Sequence, residues 1–347
     1  MTGRDHVDTD TDAGPGAGSG AGTETDGGTA TGSGAGADTG AGAGTGPAGD
    51  PDTVAAGRSD RPVVRRARRF VRRFRRNRLA TVGLLILAVF LVVALFPGQI
   101  APQPYDSTDV PNRLEGPSVE NPMGTDRYGR DIFSRVVFGA RIAFQVAVLT
   151  PLVAMSVGVP VGLLAGYYGG LLDDALMRVM DSIFAFPTIL LGLTLVAVFG
   201  QSLTNIVLAL GIVFVPQFAR ITRGSALSVS KENHVKVARS LGASDARILA
   251  LHVFPFCLSA ILVQATITAA LAIILESSLS FLGVGVPPPR PSWGGMLRVG
   301  KGFVGSGEWW YSVFPGLAIV FSVLGFNLLG DGLRSVLDPR TDPDRGR

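Results

Sequence analysis

Few side chains in this 347-residue chain have chemistry to offer, and their types and spacing narrow what that chemistry is. The single cysteine, Cys257, sits in an apolar run, so neither an internal disulfide nor a cysteine metal site can form. The three histidines, His6, His234 and His252, are scattered without ligand spacing. Gly295-Met296-Leu297-Arg298-Val299-Gly300-Lys301 matches GxxxxGK, the first seven positions of a phosphate-binding loop. The next residue is Gly302, so the hydroxyl that would hold magnesium is missing. Pro287-Pro288-Pro289-Arg290-Pro291 just before it cannot be a buried strand, because proline lacks the donor. The chain is therefore expected neither to hydrolyse ATP nor to bind a cofactor or metal of its own. What remains is a thin scatter of polar residues in apolar surroundings, among them Gln145, Gln264, Thr266 and Thr268, with Glu276 at the end of one run and Asp331 just past another. Carriers driven by protons or ions place ionisable groups at membrane depth. Here the interiors of the runs hold none, so energy for uphill movement would have to enter from another subunit. Gln264 with Thr268 is either a bond between helices or a polar strip along a translocation path. Glu276 either meets a cationic group near an outer mouth or sits in an interface.

The elements that position these residues are membrane helices. The chain is 47% hydrophobic and only 17% charged, against about 25% charged in an ordinary soluble domain. A span needs roughly 20 apolar residues to cross about 30 Å of hydrocarbon, and six runs qualify: 79–96, 142–166, 183–200, 203–218, 256–275 and 309–330. Gly158, Gly162 and Gly166 recur on one face of the second run, a packing stripe that lets another helix come close, and Pro160 among them is expected to bend it. With the N-terminus inside, 22 of the Lys and Arg residues fall in inside segments and 8 in outside ones, which sets both termini in the cytoplasm. Residues 58–78 contribute eleven arginines, and their place against the first span favours anionic lipid headgroups over nucleic acid. Residues 1–57 hold 17 glycines and nine acidic residues, too little apolar surface to fold, and read as a disordered tail. The order is thus a tail (1–57), an arginine-rich segment (58–78), a first span (79–96), an external loop (97–141), a core of five spans (142–330) and a cytoplasmic end (331–347).

The longest inside loop, 219–253, has internal order. It reads as two short helices, 232–241 and 245–252, around Gly242-Ala243-Ser244. Gly242 suits the left-handed position that ends a helix, Ser244 can cap the next, and Asp245 in its first turn complements the dipole. Leu241, Ile248 and Leu249 are apolar in otherwise charged surroundings. Such a knob is either a docking element or a solvated hairpin.

The residues of this loop carry a resemblance. Lys236-Val237-Ala238-Arg239-Ser240-Leu241-Gly242-Ala243-Ser244-Asp245, then Ile248 and His252-Val253-Phe254-Pro255, resembles the EAA loop of ATP-binding-cassette (ABC) importer permeases, with Lys236-Val237 where the usual pattern has Glu-Ala. Met123-Gly124-Thr125-Asp126-Arg127-Tyr128-Gly129-Arg130-Asp131, with Ser134-Arg135 and Gly139-Ala140-Arg141, is similar to the segment before the second span of dipeptide and oligopeptide permeases. Glu276-Ser277-Ser278-Leu279-Ser280-Phe281-Leu282-Gly283-Val284-Gly285 with Pro291-Ser292-Trp293-Gly294 resembles their outer loop, and Asn327-Leu328-Leu329-Gly330-Asp331-Gly332-Leu333-Arg334 with Leu337-Asp338-Pro339-Arg340 their C-terminal signature. Together the stretches cover roughly residues 65–340 and favour the second of the two permeases such systems contain.

The resemblance implies an all-α, polytopic type I ABC-importer permease in the cell membrane. Its partners would be a second permease subunit in a heterodimer, two ATPase subunits that hydrolyse the ATP, and an extracytoplasmic binding protein that delivers dipeptides or oligopeptides. Ala238, Leu241, Gly242, Ser244, Asp245, Ile248 and Pro255 would form the ATPase-coupling loop, and Gln264, Thr268 and Glu276 would border the path. The same machinery in relatives handles nickel complexes or sugars, and a self-sufficient channel or carrier is the reading from a different class. The acidic tail has no counterpart in the resemblance, so deleting residues 1–57 is expected to leave transport in whole cells unchanged.

Overall fold

The computed structural model describes residues 77–337. The expected tail, the arginine-rich stretch as far as Arg76 and the residues from Asp338 onward lie outside them. Apart from one isolated bridge between Thr125 and Asp131, the regular structure among the described residues is helical. Helix α1 (Arg78–Leu95) starts at Asn77, whose side chain accepts from the Ala80 N–H at 3.2 Å. A long loop then leads to α2 (Ile132–Tyr168), followed by α3 (Gly170–Phe184), α4 (Thr188–Phe199), α5 (Leu203–Val229), α6 (Asn233–Ser240) and α7 (Asp245–Ile248). A π-helical turn (Leu249–Val253) joins α7 directly to α8 (Phe254–Leu282), α9 (Trp293–Gly300) and α10 (Trp310–Leu337) follow, and short helical turns at Pro97–Ile100, Val110–Asn112 and Val304–Ser306 lie in the connections.

Three of the expected boundaries are corrected, each for a physical reason. Helix α2 begins ten residues before the expected 142, inside what reads as external loop. Asp131 caps it, its Oδ2 accepting from the Ser134 N–H at 2.8 Å and the Ser134 hydroxyl at 2.6 Å. Helix α5 runs past the expected 218 to Val229, so the first third of the expected loop is helix. The arginines that make this stretch look like loop are neutralised sideways: Arg223 forks onto Asp173 of α3, and Arg220 pairs with Asp181 at 2.6 Å. The expected third span, 183–200, is broken. Its apolar helix α4 has 12 residues, about 18 Å, and α3 meets it at a bend of 85°. Proline disfavours helix in the residue before it and cannot donate a backbone bond, which puts the bend at Phe186-Pro187. Among the described residues, five helical segments are long and apolar enough to cross a membrane, or six if the bent pair is taken as one span. Pro160, expected to bend the second span, lies inside a continuous α2, as does Pro151.

The most extensive interface is between α2 and α5, and the glycine stripe makes it. A Cβ on Gly158 would lie 2.6 Å from the Val215 carbonyl oxygen; on Gly162 it would lie 2.7 Å from Thr222 Cβ and run into the Ala219 carbonyl; on Gly166 it would lie 2.5 Å from the Arg223 carbonyl. The partners Val215, Ala219 and Arg223 recur every four residues, so one row of bare backbone on α2 faces one row of carbonyls on α5. Along the first half of α2, Ile132, Ala143 and Ala147 pack with Leu87 of α1, Ile273 of α8, Trp293 of α9 and Phe326 of α10. Large apolar side chains such as Leu85, Val89 and Leu95 on α1 stay exposed, as a lipid-facing surface requires.

Replacing Gly162 by Leu would force the seam apart at a typical cost of about 1–3 kcal/mol or more. Gly162→Leu is expected to lower the thermal unfolding midpoint of the detergent-purified chain. Gly224→Leu on the open side of α5, where a Cβ meets nothing within 4 Å, is expected to leave it near that of the parent.

Candidate functional site

The loop between α5 and α8 is built as an outgrowth of the core. Val235, Ile248 and Val253 are fully buried and belong to the same apolar cluster as Phe218 of α5 and Cys257 and Ile261 of α8. Helix α6 ends in a Schellman motif: the Gly242 N–H bonds the Arg239 carbonyl at 3.0 Å, and the Ala243 N–H reaches back to Ala238 at 3.1 Å. Gly242 has φ +79°, a conformation that costs any residue with a Cβ. Ser244 holds the cap position of α7, but its side chain makes no capping bond, which differs from expectation. Asp245 is engaged elsewhere. Its Oδ1 accepts the Tyr167 hydroxyl at 2.6 Å, tying the loop to the end of α2, and the Arg239 guanidinium lies 5.3 Å over the Tyr167 ring.

The loop turns some of its apolar side chains inward and presents others outward. Ala238 and Ile248 are buried, whereas Leu241 is 82% exposed at the turn and Val237 56%. Pro255 sits in the first turn of α8, where its missing donor is no loss. His234 and His252, far from ligand spacing in sequence, come within 6.4 Å ring to ring, and His234 Nε2 lies 3.1 Å from the His252 carbonyl. No group of three metal-ligating side chains occurs among the described residues.

Of the polar residues in the spans, Gln264, Thr268 and Glu276 turn inward, whereas Gln145 is exposed. Gln264 and Thr268 are 7% and 0% exposed. Gln264 Nε2 donates to Thr268 Oγ1 at 3.2 Å and to Gln217 Oε1 at 3.1 Å, so the bond crosses from α8 to α5. Gln217, which sequence reasoning passed over, lines a cleft of ≈ 280 Å³ beside the α3–α4 bend. Its position one residue after Pro216 was the available signal, since a proline inside a helix often marks a polar opening. Glu276 is not brought to this network. It lies two turns further along α8, about 12 Å away, 1% exposed, and takes the hydroxyl of Ser280 on Oε1 at 2.7 Å.

The opposite end of the bundle carries a second ordered loop. Asp126 is fully buried; Oδ1 accepts the backbone N–H groups of Tyr128 at 2.8 Å and Arg130 at 3.0 Å, and Oδ2 the Arg130 side chain at 2.7 Å. Trp293 covers this end, its Nε1 donating to the Val136 carbonyl at 2.9 Å over Gly139. The GxxxxGK match lies almost entirely within α9, so its backbone is committed to helix and forms no phosphate cradle.

Residues 158–343, more than half of the chain, match the family described as binding-protein-dependent transport system inner membrane component. The chain belongs to this family. Residues 66–117 of the permease also match the N-terminal transmembrane domain of oligopeptide transport permease C. Over 269 residues it is 42% identical to the dipeptide transport system permease protein DppC of Alkalihalophilus pseudofirmus, covering 78% of this chain and 88% of that one. Over 274 residues it is 44% identical to the glutathione transport system permease protein GsiD of Escherichia coli, covering 78% and 89%. A solved structure of the inward-facing MetNI methionine ABC transporter aligns with TM-score 0.49 at 18% identity, covering 58% of this chain and 96% of that one. The permease is a multi-pass membrane subunit of an ABC importer and not a catalytic subunit.

The Tyr167–Asp245 bond is a polar link between α2 and the loop. Tyr167→Phe removes it at a net cost of about 1 kcal/mol. Amide hydrogen exchange across residues 233–248 is expected to quicken about fivefold, with the α2–α5 seam unchanged.

Proposed function

We propose that this permease imports short peptides, as one half of a heterodimer with a second permease subunit. Two ATPase subunits hydrolyse the ATP, and an extracytoplasmic binding protein delivers the peptide to the end that carries Asp126 and Trp293. The observation that carries the reading is the build of the 219–253 loop. Its inner face is part of the bundle core through Val235, Ile248 and Val253, while Leu241 and Val237 stand exposed. A loop of that build moves as one body with α5 and α8, and its exposed apolar residues offer a partner something to hold. ATP-driven closure of the ATPases draws the loop with it, and the spans reorient at the interface with the second permease. The relatives named for dipeptide and glutathione transport support a peptide substrate. Four exposed cations on the loop, Lys231, Lys236, Arg239 and Arg247, suit an acidic rim on the ATPase.

Gly242→Glu tests the coupling role. The site is open, with nothing within 4 Å of an added Cβ, so the fold tolerates the substitution at a local cost of about 1–2 kcal/mol. Uptake of labelled dipeptide is expected to fall to background with membrane insertion intact, and the co-purifying ATPases are expected to be lost. Undiminished uptake contradicts the proposal.

A further inference from the structure

At the end of the bundle that carries Trp293, a cavity of ≈ 620 Å³ opens between four segments. Gln201 borders it from the α4–α5 turn, Gly283 and Pro288 from the stretch after α8, and Gly295 and Arg298 from α9, while Arg127 reaches it from the loop before α2. Much of its wall is bare backbone, because four of the residues around it are glycines.

The two arginines are held, and neither is neutralised. The Arg298 guanidinium lies directly against Gly283, where an added Cβ would sit 2.6 Å from Cζ. Gly283 ends α8 at φ +94°, and its carbonyl accepts from Gln201 Nε2 at 3.3 Å, so the surface under the guanidinium is itself tied down. The Arg127 guanidinium stands 4.6 Å over the Tyr128 ring. Among the described residues, neither arginine has a carboxylate within 4.0 Å. No acidic residue lines the cavity. Glu276 lies behind the wall, with the Ser280 hydroxyl bonded to its Oε1.

Two unpaired guanidiniums at one cavity repel each other and attract an anion, and the planar fork of arginine matches a carboxylate with two parallel bonds. The volume falls within the range of small-molecule sites, about 300–1,000 Å³, and admits a short peptide. We propose that this cavity is a carboxylate site that receives the C-terminal carboxylate of a short peptide, with Arg298 and Arg127 as its anion-binding groups. The site rests on the peptide reading for the identity of its ligand and on geometry alone for its charge preference.

The test uses the full chain in nanodiscs, titrated with alanyl-phenylalanine and with its C-terminal amide, and read by saturation-transfer NMR. The free acid is expected to bind about tenfold more tightly than the amide, the worth of one charge-assisted pair. Arg298→Gln and Arg127→Gln are each expected to reduce that preference, and Arg298→Lys to retain part of it. Both arginines are exposed, so the variants are expected to fold, which their unfolding midpoints will check. Equal binding of acid and amide overturns the proposal, as does a preference that survives both Gln variants or an absence of acid binding in the millimolar range. Dipeptide uptake by cells carrying the parent importer separates the two readings. Uptake without carboxylate preference in nanodiscs removes the cavity site and leaves the peptide reading. Carboxylate preference without uptake removes the peptide reading and leaves the site.

Discussion

In hydrocarbon, two helices gain nothing by covering each other's leucines, because the surrounding lipid is just as apolar. The α2–α5 seam is therefore held by contact distance, and contact distance is set by what is missing from Gly158, Gly162 and Gly166. Other features take their position from it. Arg223 gives its carbonyl to the seam opposite Gly166, and its side chain reaches from there to Asp173 and anchors α3. Tyr167 follows Gly166 directly, so the residue that meets Asp245 is positioned by the last close contact of the seam. Widening the seam would move α3 and the 219–253 loop together.

The two ends of the bundle solve the problem of ordering polar chain in different ways. At the Asp126 end one buried carboxylate gathers two backbone donors and the Arg130 side chain, and the loop closes around that acid. At the Asp245 end the loop is ordered by apolar side chains that extend the core outward. The first arrangement makes a rigid rim; the second couples a surface element to the helices beneath it. A further difference follows from charge. The rim near α9 carries cations without counter-charges, whereas the arginines at the inner end of α5 are matched by α3.

The sequence reveals this architecture where backbone chemistry is local. The glycine spacing on α2 announces a packing face, and Gly242 announces a left-handed turn, because both depend only on the residue itself and its near neighbours. It conceals the architecture where a partner far along the chain changes the meaning of a residue. Arg220 and Arg223 look like the start of a loop until Asp181 and Asp173, some forty to fifty positions earlier, are seen to neutralise them. Arg135 looks solvated until the Tyr105 carbonyl and Asp126 are seen around it. Ser244 has the right type for a cap but no bond to make, and Gln217 acquires its interest only from Gln264 on another helix. The break at Phe186-Pro187 is the one local signal that hydropathy alone hides, since the residues on either side are apolar.

Helix α2 runs without interruption for 37 residues, about 55 Å, and makes polar contacts at both extremities: Asp131 caps its start, and Tyr167 holds the loop near its end. It is a lever. Each degree of tilt about one end displaces the other by about 1 Å over that length. A rotation of a few degrees therefore covers the distance between a made and a broken hydrogen bond, or between an open and a closed passage. With this geometry a modest movement at one end of the helix is felt at its other end, some 37 residues away.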